Sequence, residues 1–69
     1  MKDVIDFESH AKDFGVTTRI QLTQMDDGGY MLAIETTYAN LSFQKISRVS
    51  NSTAEQMIEY HEEYRKACS

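Results

Sequence analysis

Proline is absent from the 69 residues and glycine occurs only three times, with no low-complexity tract, which argues against disorder and against a long linker. The one cysteine, Cys68, has no second thiol to pair with. The disulfide-stapled secreted scaffolds common at this size are therefore excluded, and a reducing cytoplasm is the expected address. Long hydrophobic runs are missing as well: the longest uninterrupted apolar stretch, Tyr30 to Ile34, falls far short of the roughly 20 residues that cross a bilayer as a helix. With Asp3 and Asp6 near its start the chain shows no signal-peptide pattern and reads as soluble, unprocessed and without a membrane partner. Positive charge is the minority sign, 7 Lys plus Arg against 11 Asp plus Glu, for a net charge of −4. What remains, 41% hydrophobic and 26% charged, is ordinary globular composition for one small domain over residues 1–69. A chain this short buries only about 60% of the surface its unfolded form exposes, and its core rarely supplies more than roughly 3 to 5 kcal/mol. A large enclosed active site is not expected.

Residues 3 to 15 read as a helix, because Val4, Phe7, Ala11 and Phe14 recur at the spacing of one helical face. Asp3 suits the N-cap, Asp6 places negative charge in the first turn, and Gly15 stands where a left-handed C-terminal cap belongs. From Val16 the period changes to two: Val16, Thr18, Ile20 and Leu22 fall on one side, and Thr17, Arg19, Gln21 and Thr23 on the other. Tyr30 to Tyr38 alternates likewise, with Leu32 and Ile34 opposed to Met31, Ala33 and Glu35. For both apolar sets to share a face, paired positions need an even sum, which selects a loop with an odd number of residues. Asp26, Asp27 and Gly28 fit a three-residue loop with Gly28 left-handed. The register then sets Leu22 opposite Leu32, Ile20 opposite Ile34, and Arg19 opposite a neutralising Glu35. A third strand, Leu41 to Val49, follows a turn at Ala39 and Asn40; Leu41 and Phe43 keep one parity while Ile46 takes the other, and a bulge near Gln44 and Lys45 reconciles them.

Ser52 followed three residues later by Glu55 forms a capping box, which predicts a second helix from 53 to about 67. Ala54, Met57, Ile58, His61, Tyr64 and Cys68 make its apolar stripe; Glu55, Glu59, Glu62, Glu63 and Lys66 make the other face. The helices carry the excess negative charge and the sheet is neutral. The expected fold is α+β, with the order helix, three-stranded antiparallel sheet, helix (αβββα), in two layers with both helices packed on one sheet face and the other face open. This order resembles the outline of double-stranded RNA-binding domains, whose second helix opens with a phosphate-gripping lysine cluster. Here the corresponding start is Ser52, Thr53, Ala54, Glu55, with no lysine until Lys66, so no direct contact with nucleic acid is expected.

Candidate chemistry is sparse. His61 and Cys68 share a helix face with Glu59 and Glu62 nearby, but one Cys and no paired Cys or His motif do not make a metal site. His10 and Asp13 lie one turn apart on the first expected helix and read as a surface pair, with no nucleophile near them in sequence. Gly28 and Gly29 stand between strands beside Asp26 and Asp27, which repel phosphate and lack the remaining ligands of a calcium loop. No cofactor or metal is expected. The reading is therefore a non-catalytic protein-interaction module, a small cytosolic regulator or inhibitor of the kind that phages and mobile elements encode. Its partner would be a basic, nucleic-acid-handling protein, met through Glu55, Glu59, Glu62 and Glu63 and through Met31 and Glu35 on the open sheet face. Tyr60 and Tyr64, at the edge of the helix stripe, can serve core or interface. The alternatives are a small ribonuclease-like hydrolytic module using His10 or His61, and a homodimer joined through the free sheet face or an edge strand.

Overall fold

The computed structural model describes residues 1–68. Four strands, β1 (Lys2–Ala11), β2 (Val16–Gln24), β3 (Tyr30–Tyr38) and β4 (Leu41–Val49), form one antiparallel sheet in the order β1-β2-β3-β4, and a single helix, α1 (Asn51–Cys68), follows. This corrects the expected αβββα order: the segment read as a first helix is β1, an edge strand of a four-stranded sheet. A bulge explains the misreading. The β1–β2 register shifts between Asp3 and Ile5, so Val4 is an extra residue, and both Val4 and Ile5 pack into the core. Val4 and Phe7, three apart, thereby reach one face of a strand and imitate helical spacing. Beyond the bulge the alternation is regular, with Ile5 and Phe7 toward the helix and Asp6, Glu8 and His10 away from it. Phe14 belongs to no core: it is exposed in the single 3-10 turn Lys12–Phe14 that joins β1 to β2. Gly15 is left-handed as expected (φ 64), but it closes that turn and caps no α-helix. With four strands and one helix, the outline shared with double-stranded RNA-binding domains is lost.

The three expected strands are present, and the central hairpin has the predicted register: Leu22 opposite Leu32, Ile20 opposite Ile34, Arg19 opposite Glu35. Its loop is Asp26, Asp27 and Gly28, closed by Met25 N–H donating to the Gly29 carbonyl at 2.7 Å, with Gly28 at φ 87. Gly29 is small for a different reason: a Cβ there would stand 2.5 Å from Arg48 Nη2, which donates to Asp27 Oδ2 at 2.7 Å. Ala39 and Asn40 do form the β3–β4 turn, with Ala39 left-handed at φ 54. The bulge expected near Gln44 and Lys45 is absent; β4 pairs with β3 without interruption from Leu41 to Val49, and Ile46 lies opposite Ala33 on the open face.

The helix begins two residues earlier than the Ser52 capping box implies. Ser50 is the cap: its Oγ accepts the Thr53 N–H at 3.2 Å and donates to Thr53 Oγ1 at 2.9 Å, while its carbonyl accepts the first helical bond from Ala54 at 2.9 Å. Ala54 is fully buried and, having only a methyl group, lets the helix approach the sheet closely over Ile5 and Leu22. Val4, Phe7, Tyr30, Leu32, Val49, Met57 and Ile58 surround these three. Farther along, the His61 and Tyr64 rings meet Phe7 edge-on at centroid distances of 6.3 and 5.3 Å. The helix therefore starts beside the end of β4 and crosses the sheet diagonally onto β1. Its last turns run past the sheet edge, so Tyr64 and Cys68 of the expected stripe are exposed.

Candidate functional site

The diagonal path of α1 leaves part of its own sheet face uncovered. Strands spaced about 4.8 Å apart make a four-stranded sheet wider than one helix of about 10 Å diameter. The register places Tyr38, Thr36 and Ile34 of β3 beside Leu41, Phe43 and Lys45 of β4 on the helix side. There Phe43 is 60% exposed, Leu41 58% and Tyr38 54%. The patch is continuous with a groove of about 240 Å³ under the flank of the helix, lined by Ile5, Phe7, Ile20, Met57, Tyr60 and His61. Ile20 joins the two, since it pairs with Ile34. Tyr60, at the groove rim, is 70% exposed. Aromatic and aliphatic side chains thus form one continuous exposed surface, the kind of patch from which a candidate contact site is read.

The two sheet edges differ. The edge strand β1 carries the bulge at Val4 and the acidic side chains Asp3, Asp6 and Glu8, both devices that prevent strand addition. The other edge strand, β4, has neither a bulge nor an acidic residue over its nine residues.

Apart from Met31, Ala33 and the exposed Ile46, the opposite face of the sheet is polar and internally paired. Arg19 forks onto Asp6, with Nε to Oδ1 at 2.9 Å and Nη2 to Oδ2 at 2.7 Å. That hydrogen-bonded guanidinium holds the Asp6 carboxyl below its ordinary value of 3.8. Asp27 is likewise lowered, first by the Gly29 N–H at 2.8 Å and then by Arg48. The expected neutralisation of Arg19 by Glu35 is thus corrected: the two stand opposite in the ladder, but Asp6, on the strand misread as a helix, takes the guanidinium. The four strands are still neutral together, Asp3, Asp6, Glu8 and Glu35 against Lys2, Arg19, Lys45 and Arg48, but the excess negative charge is shared between α1 and the loops. His10 does not pair with Asp13 as expected; its Nε2 lies 2.9 Å from Glu8 Oε1 and its Nδ1 3.0 Å from Thr17 Oγ1. Carboxylate, imidazole and hydroxyl stand in the sequence of a nucleophile relay. Thr17, however, lies on the interior strand β2, whose amides bond to β1 and β3, so none is left to hold an oxyanion. His61 is half-buried against Phe7.

The sequence-derived site residues fall on two opposite surfaces. Glu55, Glu59, Glu62 and Glu63 are all exposed, on the side of α1 turned away from Ala54, Met57, Ile58 and His61. Met31 and Glu35, both half-buried, lie on the far face of the sheet, where Met31 sits between Thr23 and Arg48 and Glu35 between Arg19 and Gln44. No single partner surface brings the two sets together. The residues that sequence reasoning missed are Tyr38, Leu41 and Phe43, which it did not single out. Among the described residues no group of three or more His, Cys, Asp or Glu side chains gathers to hold a metal ion, and no helix is long and apolar enough to cross a membrane. Comparison of the chain with protein-family models, with curated proteins and with solved structures finds no match in any of the three.

Proposed function

We propose that this chain is a non-catalytic protein-interaction module, a small regulator or inhibitor that acts by occupying a surface of another protein. The observation that carries this reading is the uncovered patch of Tyr38, Leu41 and Phe43, continuous through Ile34 and Ile20 with the groove under Tyr60. Desolvating such side chains is worth roughly 1.5 to 3 kcal/mol each when burial is complete. The acidic outer face of α1 supports a basic partner, of the kind that handles nucleic acid, and favours fast, salt-sensitive association. Occupancy alone suffices for such a role and asks no chemistry of the domain.

The test is affinity capture with the immobilised full chain from an extract of the organism that encodes it, run side by side with a Phe43→Lys variant and a Glu59→Gln, Glu62→Gln variant. A protein retained by the wild-type chain should be lost with Phe43→Lys. One that docks on the helix should be weakened by the glutamine variant and by raised salt, which shortens the screening length from about 10 Å at 0.1 M to about 3 Å at 1 M. Identical retention by all three chains would refute the reading. The hydrolytic alternative has the Glu8, His10, Thr17 row in its favour. It requires an activity of the purified chain that His10→Ala abolishes.

A further inference from the structure

The geometry points to a second copy of this chain as the first occupant of the β3–β4 surface, joined by antiparallel pairing of β4 with its counterpart about a two-fold axis at Gln44. The inference rests on the reading of that surface as protein-binding and names its partner.

Surface area gives the first argument. A compact monomer of 7.9 kDa exposes about 4,400 Å². This chain exposes 5404 Å². The excess, roughly 1,000 Å², is close to the ~800 Å² that each partner loses in a standard-size interface. The radius of gyration agrees: 13.3 Å, against about 11 Å expected for 69 residues in a compact domain. The molecule is only 17 Å thick along its shortest axis and 37 Å along its longest, the dimensions of a layer that has been left unfinished at one side.

The edges identify the side. Pairing through β1 would bring Asp3, Asp6 and Glu8 of two copies together across a bulged strand. Pairing through β4 brings together an unbulged strand whose only charges are Lys45 and Arg48, on a chain whose net charge is −4. Two copies that repel each other overall thus meet at the strand that carries no acidic residue. The apolar patch lies along the same strand, so edge pairing sets Leu41 and Phe43 of each copy beside side chains of the other on the common helix-side face.

Side-chain chemistry then selects the register. A two-fold axis at any β4 residue keeps the odd-numbered side chains of both copies on the helix side. An axis at Lys45 pairs all nine residues but sets Lys45 directly against Lys45 of the second copy, a like-charge pair that destabilises a ladder. An axis at Phe43 leaves only residues 41 to 45 paired, and one at Ile46 pairs residues 43 to 49 but leaves Leu41 outside the ladder. The axis at Gln44 pairs residues 41 to 47, sets the two Gln44 amides opposite each other, and places Phe43 of each copy beside Lys45 of the other, where the ammonium can lie on the ring. The product is an eight-stranded sheet with both helices on one face.

Sedimentation equilibrium of the purified full chain at micromolar concentration tests this, with charge variants and a cysteine scan. The wild-type chain should sediment at twice 7.9 kDa. Phe43→Lys, which sets the introduced lysine against Lys45 of the other copy, should be monomeric. The double variant F43K/K45E, which turns that repulsion into two opposite-charge pairs, should be dimeric again. In a Cys68→Ser background, mild oxidation should cross-link Gln44→Cys, whose paired Cα atoms fall within disulfide range, and should leave Ser42→Cys uncross-linked. A monomeric wild-type chain, or a dimer that Phe43→Lys leaves intact, overturns the inference. In either case the capture experiment decides the broader reading separately: loss of a retained protein with Phe43→Lys keeps the surface as a binding site for another protein, and unchanged retention removes it.

Discussion

Replacing Ser50 by alanine tests the account of where the helix begins. The substitution removes the acceptor for the Thr53 N–H and the partner of Thr53 Oγ1, so one backbone donor of the first turn is left to water. Caps of this type contribute about 0.5 to 2 kcal/mol. Ser50 is exposed, and water competes for the freed N–H, which puts the expected loss near 1 kcal/mol. In a domain of 60 to 100 residues, 1 kcal/mol lowers the thermal midpoint by about 4 to 8 °C. Ser52, by contrast, lies inside the first turn, where alanine is the better helix former by a few tenths of a kcal/mol. Ser52→Ala should therefore leave the midpoint unchanged or raise it slightly. Ser50→Asp should retain most of the wild-type stability, since aspartate caps as well as serine and gains from the helix dipole. Thermal unfolding followed by circular dichroism, at one fixed protein concentration because self-association would shift every midpoint, reads all three. A greater loss for Ser52→Ala than for Ser50→Ala would refute the cap assignment and restore the capping box with Glu55.

Two further outcomes follow from backbone and charge. Ala39 holds a left-handed φ of 54, which costs an L-residue about 1 to 2 kcal/mol and glycine nothing, while glycine's extra freedom in the unfolded chain takes back about 0.4 to 1 kcal/mol; Ala39→Gly should raise the midpoint measurably, and a fall would show that the methyl group contributes packing. Asp6 and Asp27 have folded-state values lowered below 3.8, so their contribution to stability is complete above about pH 4 and is lost as pH falls through those lowered values. Midpoints measured from neutral pH to pH 2 should drop below about pH 4, less steeply in Asp6→Asn; a curve of unchanged steepness would show that the Arg19 pair stabilises nothing.

The hairpin of β2 and β3 was legible in the sequence because two constraints had to agree. Apolar parity required an odd loop, and Asp26, Asp27 and Gly28 offered one with a glycine at the left-handed position. The strand β1 was not legible, because a bulge breaks period two at its start, between Asp3 and Ile5. One inserted residue turned Val4 and Phe7 into an apparent helical pair, and Asp3 and Gly15 supplied matching caps for a helix that does not form. Ile5 carried the contrary signal: an isoleucine beside Val4 falls off the proposed helical face, yet it is one of the three buried side chains among the described residues. In β4 the error ran the other way, since a bulge was inserted to bring Ile46 onto the core face, whereas Ile46 is 57% exposed on the open one.

The candidate site was legible in part for the same reason. The acidic side of α1 depends only on helical period, and the exposed positions of Glu55, Glu59, Glu62 and Glu63 follow from it. The uncovered patch depends on how many helices cover how many strands. Two helices over three strands would have buried Leu41 and Phe43; one helix over four cannot. Once β1 is a strand, it draws α1 toward its own edge, because Ile5 and Phe7 offer the apolar contacts for Ala54, His61 and Tyr64. The cost falls on β4, at the opposite edge, whose Leu41 and Phe43 lose their cover. A second copy paired at β4 would flank both with its own side chains and would set two acidic helices on one side of a common sheet. A basic partner could then engage both at once, so that two weak, screened contacts act together with an effective concentration fixed by the sheet between them. Charge on the helix and apolar surface on the strand would in that arrangement serve successive steps: self-assembly at β4, and recognition across the paired helices.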